Sequence, residues 1–195
     1  MQSRDFSVSI ALMIVFILSG IVVGTVCCFA TDFFPSNLGF ITQIDKLGQN
    51  GFDYSFFQSL FNFSKYPLLI FIFGLTALGF FVTPVLVFLK GFFLSFSVSA
   101  IFKCIEKNAL LLAFSIFGVQ VVFSIPCIIF FASVSFEFSK NFVNFFKKKT
   151  QIKKINKVKS QEYFFIFLIV TIFVFLFAFL DTLITPKLIE IATKI

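Results

Sequence analysis

The sequence predicts an all-α protein, a polytopic transmembrane helical bundle of about five spans in one integral membrane domain over residues 1–195. Its N-terminus is expected inside and its C-terminus outside. Three observations carry that expectation. Of 195 residues, 59% are hydrophobic and 13% charged, against about 45–50% and about 25% in a soluble domain. Mean hydropathy is +1.05. The apolar residues also fall in runs of spanning length, while eight lysines crowd between Lys140 and Glu162.

The first run, residues 10–30, is apolar for 21 residues, enough to cross a hydrocarbon core of about 30 Å. It exceeds the 7–15 apolar residues of a signal peptide, and "VCCFAT" is a poor cleavage site. A membrane anchor is therefore expected. Residues 31–65 read as an outer loop, with Asp32, Asp45 and Asp53 against Lys46 and Lys65. Within it, "DYSFFQSLFNFSKY" offers Asp53 as a helix cap and phenylalanines for a segment lying on the outer membrane surface.

Residues 66–102 are the difficult stretch, with Lys90 as the internal charge. One helix of that length would measure about 55 Å, too long for one crossing. Two spans, 66–82 and 84–102, are expected, with Pro84 in the first turn of the second, where its missing N–H is not needed. Lys90 would then lie about 9 Å in and snorkel back to the cytoplasmic interface. The functional alternative places Lys90 in a polar cavity, binding an anion or a partner.

The fourth span is residues 109–132, interrupted by Gln120 and Pro126, and the fifth is 163–180. Between them lies the basic stretch 136–162, cytoplasmic by the positive-inside rule, in which "KKKTQIKKINKVK" reads as a solvated basic helix or coil. Reaching it from an outer loop takes an odd number of crossings. One span plus a re-entrant piece in 66–102 would give an even number and put the lysines outside. After the fifth span, Pro186 is expected to stop the helix, and Asp181 reads as an interfacial helix end.

Gly20 and Gly24 have the spacing that lets helices approach closely. Gly91, Ser95 and Ser99 form a similar stripe. Both predict helix–helix contact, either within the chain or between copies in a homo-oligomer. The basic stretch should attract anionic lipid, at about 1 kcal/mol per lysine near the surface. Nucleic acid is not expected as a partner, because the net charge of +7 lies mainly in this one juxtamembrane segment.

Chemistry is sparse. There is no histidine, which removes the usual general base and the commonest metal ligand. No phosphate-binding glycine loop is present, and Cys27, Cys28, Cys104 and Cys127 lack metal-site spacing. They read as small buried apolar side chains, with a disulfide to Cys104 as the remote alternative. Intramembrane aspartyl chemistry needs paired aspartates, and Asp181 alone borders the last span. The expectation is no enzyme, no cofactor and no metal. A small-solute channel or transporter subunit of the bacterial inner membrane is the alternative function. Its mark would be a continuous polar cavity around Gln120, Lys90 and Ser95.

Taken together, "GIVVGTV", "KYPLLIFIFGLTALGFFVTPVLVFLKGFFLSFSVS" and "LDTLITPKLI" resemble the stage II sporulation protein M family. The matching positions are Gly74, Gly79, Lys90, Gly91, Asp181, Thr185 and Pro186, with Ser95 where a second glycine is expected after the Lys-Gly pair. The resemblance implies a non-enzymatic protein of the mother-cell membrane at the septum during endospore formation. It implies two peptidoglycan-degrading partners, a lytic transglycosylase and an amidase/endopeptidase. The membrane protein would be their scaffold during septal wall thinning and engulfment, with the outer loop and C-terminal tail as docking surfaces.

Overall fold

A computed structural model describes residues 2–30, 56–104, 109–147 and 155–194. Expectations that fall on residues 31–55, including the Asp53 cap, lie outside the described residues, as does the Cys104 side chain. Among the described residues every regular element is helical. The elements are α1 (Gln2–Ala30), α2 (Phe56–Gly74), α3 (Gly79–Cys104), α4 (Ala109–Val119), a π turn (Gln120–Ser124), α5 (Ile125–Lys147) and α6 (Ile155–Lys194). Helices are what this composition demands, because in lipid every backbone N–H and C=O must be satisfied within the segment.

Side-chain contacts fix the direction of each helix. Ile17 faces Gly91 and Ile21 faces Ser95, so α1 and α3 run parallel. Ser135 donates to the carbonyl of Ile70 and Ser139 to that of Thr76, so α5 runs alongside α2 in the same sense. On α6, Tyr163 lies by Phe71 and Asp181 by Ser59, which makes α6 antiparallel to α2. Ser115 of α4 meets the Leu188 carbonyl and Phe123 stacks on Phe177, so α4, the π turn and α5 form one descending passage. Directions therefore alternate through five passages.

Four of these contain helices long and apolar enough to cross a membrane: Phe6–Ala30, Gly79–Lys103, Val121–Lys140 and Gln161–Thr185. The fifth, α2, has a shorter apolar part, Ser59–Gly74. The protein is a helical membrane bundle. Its core runs between the helices through Met13, Ile17, Ile70, Val87, Phe131 and Val174. A smaller cluster of Ile101, Ala109 and Ala113 joins the end of α3 to α4.

The sequence expectations need four corrections. The hairpin turns at Leu75–Leu78, not at Pro84. Thr76 closes the turn by donating its N–H and hydroxyl to the Phe73 carbonyl at 3.0 and 2.7 Å, and Gly79 donates to Thr76. A side chain at Gly79 would fall on the Phe73 carbonyl, so glycine spacing rather than proline sets the boundary. Pro84 lies inside α3, and Lys90 is therefore about 16 Å from the start of the helix.

Next, the stretch expected on the outer surface is the first half of α2, continuous across Pro67 with the rest of that passage. Its polar residues lowered the apparent hydropathy, but Ser59 is buried. Third, α6 continues through Pro186 to Lys194; the Thr182 carbonyl loses its usual donor there, and the helix is otherwise undisturbed. The basic segment, read as a helix or coil, is helical where it is described, with α5 reaching Lys147 and α6 starting at Ile155. Fourth, the span expected to end at Ala132 runs on from Ala109 to Lys147 through the π turn. Pro126 lacks the N–H that would meet the Val122 carbonyl, and the wider π turn absorbs that break.

Candidate functional site

Three polar features sit inside the apolar bundle. The first is the seam between α1 and α3, the most extensive helix pair. Added Cβ atoms at Gly24 and Gly91 would stand 2.5 Å from the carbonyl oxygens of Phe92 and Ile17, and Gly20 is pressed on the Phe88 carbonyl. Such approach is open only to residues without a side chain. Ser95 then replaces the expected glycine with a bond: its hydroxyl donates to the Ile21 carbonyl at 2.7 Å and pairs with Thr25. Ser99 is buried farther along α3. The two small-residue stripes found in the sequence are thus two sides of one contact within the chain.

The second feature lies where the hairpin meets α5 and α6. Gly74 leaves room for Ser135 and Tyr163, whose hydroxyls are 3.4 Å apart. Ser135 donates to Ile70 at 3.1 Å and Tyr163 to Phe71 at 3.3 Å. The Tyr163 ring is stacked between Phe138 at 4.5 Å and Phe71 at 5.5 Å. Serines on two successive turns of α5 thereby cap carbonyls of the hairpin, Ser139 reaching Thr76 at 2.8 Å. At this end, which we call the turn end, Ser9 of α1 also donates to Glu137.

The third feature is a pair of buried ionisable residues at different depths. Asp181 is 3% exposed and accepts from Ser59 of α2 and Thr185 of α6, both at 2.8 Å. It is a cross-helix clamp, not the interfacial helix end that its position after an apolar run implied. Lys90 is 4% exposed, and its ammonium lies 4.9 Å from the centre of the Tyr66 ring on α2. It does not snorkel to an interface. Lys65 approaches the same ring at 5.5 Å, and Thr83, two turns before Lys90 on the same face of α3, is buried with no hydrogen-bond partner for its hydroxyl. A lysine at the centre of a membrane helix costs about 2.5–3.5 kcal/mol on insertion scales. A π face recovers part of that.

The channel alternative needed Gln120, Lys90 and Ser95 around one polar cavity. Five residues apart, Lys90 and Ser95 point about 140° from each other, the one to α2 and the other to α1. They line no common path. The Gln120 side chain lies outside the described residues, as does that of Pro186. A groove of about 370 Å³ opens beside Asp181, lined by Phe56, Phe175, Phe179, Thr182 and Leu183. It is apolar apart from one hydroxyl.

Sequence reasoning found Gly74, Gly79, Lys90, Gly91, Asp181 and Thr185 but not their partners Tyr66, Ser59, Ser135 and Tyr163. The partners are single polar residues in apolar runs, and no spacing pairs Ser59 with Asp181 across 122 positions. Among known families, the model described as Stage II sporulation protein M matches residues 9–186. No curated protein and no solved structure matches the chain.

Proposed function

Because the chain belongs to the stage II sporulation protein M family, we propose that it is a non-enzymatic scaffold of the sporulating cell's membrane. In this reading it gathers a lytic transglycosylase and an amidase/endopeptidase at the septum, where they thin the wall and drive engulfment. The turn end faces the cytoplasm, since the basic stretch beyond Lys140 belongs inside. Asp181, α4 and the last turns of α6 then face the wall.

The observation that supports a scaffold is where the family-motif residues go. Gly74 and Gly79 shape the hairpin, Gly91 seats α1 on α3, and Asp181 with Thr185 ties α6 to α2. Each of these positions serves the rigidity of the bundle, which is what a platform for other proteins requires. Lys90 is the exception, a buried charge set against the Tyr66 ring.

The test is complementation. In a spore former lacking its own family member, this chain is expressed and membrane migration around the forespore is followed by fluorescence. Restored engulfment, lost again when residues 31–55 are replaced by a flexible linker, supports the reading and puts docking on the outer face. Engulfment that stays blocked, with the protein inserted at normal level, refutes it. Solute flux through reconstituted vesicles would then become the measurement for the channel alternative.

A further inference from the structure

On α2, Phe57, Phe61, Lys65, Leu68 and Ile72 follow one another at steps of four, four, three and four residues, all of them exposed. They make one outward stripe. Lys65 is the tenth of nineteen residues, about 13 Å from either end of the helix. An exposed lysine halfway along a helix of a membrane bundle has no reason to face lipid tails.

The surroundings add to the imbalance. The Lys65 and Lys90 ammoniums both lie within 5.5 Å of the Tyr66 ring centre. Among the described residues neither has a carboxylate within 4 Å; the ion pair found there joins Lys140 and Glu137 at the turn end. Two positive charges therefore meet midway along α2 with no carboxylate within 4 Å of either among the described residues.

We propose that this stripe docks a transmembrane helix of another protein that carries a carboxylate near its middle. The proposal rests on the scaffold reading for its partner being a second membrane protein. A second copy of this chain fits poorly. Of the carboxylates in its described spans, Asp181 is buried and holds Ser59 and Thr185, while Glu137 and Glu162 lie at the turn end. An anionic lipid headgroup sits at the bilayer boundary, about 13 Å from Lys65 along the helix. A helix with a mid-span aspartate or glutamate brings its charge to the right depth, and the flanking phenylalanines and aliphatic residues supply the packing. Lys65, at the rim, makes the contact; Lys90, behind Tyr66, adds to the positive field.

The test uses the full chain in zwitterionic vesicles, labelled with a fluorescence donor. Three synthetic Leu/Ala helices of about 20 residues carry the acceptor and differ only in a central Asp, Asn or Lys. The Asp helix is expected to associate at least about tenfold more tightly than the Asn helix, and the Lys helix not at all. Lys65→Met, which changes an outward side chain and leaves the core alone, should bring the Asp helix down to the Asn level. Lys65→Arg should keep the preference. Equal association of the Asp and Asn helices overturns the proposal, as does a preference that survives Lys65→Met. Loss of the preference when phosphatidylglycerol is added would mean a headgroup site, and donor–acceptor transfer between two copies of the chain centred on α2 would mean a self-association face; either result also overturns it. No hydrolase enters this assay, so its failure is distinct from failure to restore engulfment.

Discussion

Replacing Gly91 by alanine tests the α1–α3 seam with one methyl group. That methyl would stand 2.5 Å from the Ile17 carbonyl oxygen and 3.0 Å from Ile17 Cγ1. The oxygen is backbone and cannot swing away, so the two helices must part by most of an ångström. Overpacking of this kind costs about 1–3 kcal/mol. Parting also stretches the Ser95 bond to Ile21, now 2.7 Å, and such bonds in membranes average about 0.6 kcal/mol. The expected loss is about 2–3 kcal/mol, a fall of roughly 30- to 150-fold in the folded-to-unfolded ratio. Gly118→Ala is the matched control, because its methyl would meet only the Phe114 ring at an ordinary 3.5 Å. Removing glycine there should be neutral or stabilising by up to about 1 kcal/mol. The assay is reversible unfolding of the purified protein in mixed micelles, titrated with sodium dodecyl sulfate and followed by circular dichroism. Equal midpoints for the two variants would refute the argument that α1 and α3 pack through these glycines.

Other variants probe other contacts in the same assay. Asp181→Ala should cost about 1–3 kcal/mol, since it strips the acceptor from the buried Ser59 and Thr185 hydroxyls. Combined with Ser59→Ala, the losses should fall short of additive by at least about 0.5 kcal/mol; strict additivity would mean the two residues do not interact. Tyr163→Phe removes bonds of 3.3 and 3.4 Å while keeping the ring stack, and should cost under about 1 kcal/mol, whereas Tyr163→Ala should cost about 3–5 kcal/mol. Lys90→Met keeps the length of the side chain and removes a buried charge, so the bundle should unfold no more easily than the wild type. A large loss of stability would mean that the ammonium is structurally required at Tyr66.

Much of the architecture was legible because lipid imposes a simple rule: apolar runs of spanning length become helices. Five passages followed from charge counting over the lysines after Lys140. The glycines of α1 and the Gly91–Ser95–Ser99 stripe were legible as contact faces because small side chains have few other uses in a span. What the sequence did not carry was which stripes meet. Pro84 misled for a physical reason: proline suits a first helical turn, yet a membrane helix also tolerates it in the interior when neighbours satisfy the freed backbone. The true turn is set by Gly79 against Phe73, a close approach that exists only once the chain has folded. Asp181 misled in the same way. A carboxylate after an apolar run reads as an interface, and its burial depends on a serine 122 positions away. Lys90 was read at the wrong depth because its distance from the interface was counted from Pro84 rather than from Gly79.

The scaffold we propose would hold wall-degrading enzymes at the septum. The most direct measurement is the position of two fluorescently tagged hydrolases of the proposed partner classes, a lytic transglycosylase and an amidase/endopeptidase. They are co-expressed in sporulating cells with and without this chain. The account expects both to concentrate at the septal membrane when the chain is present and to disperse when it is absent. Hydrolases that remain dispersed while the chain itself sits at the septum would contradict it.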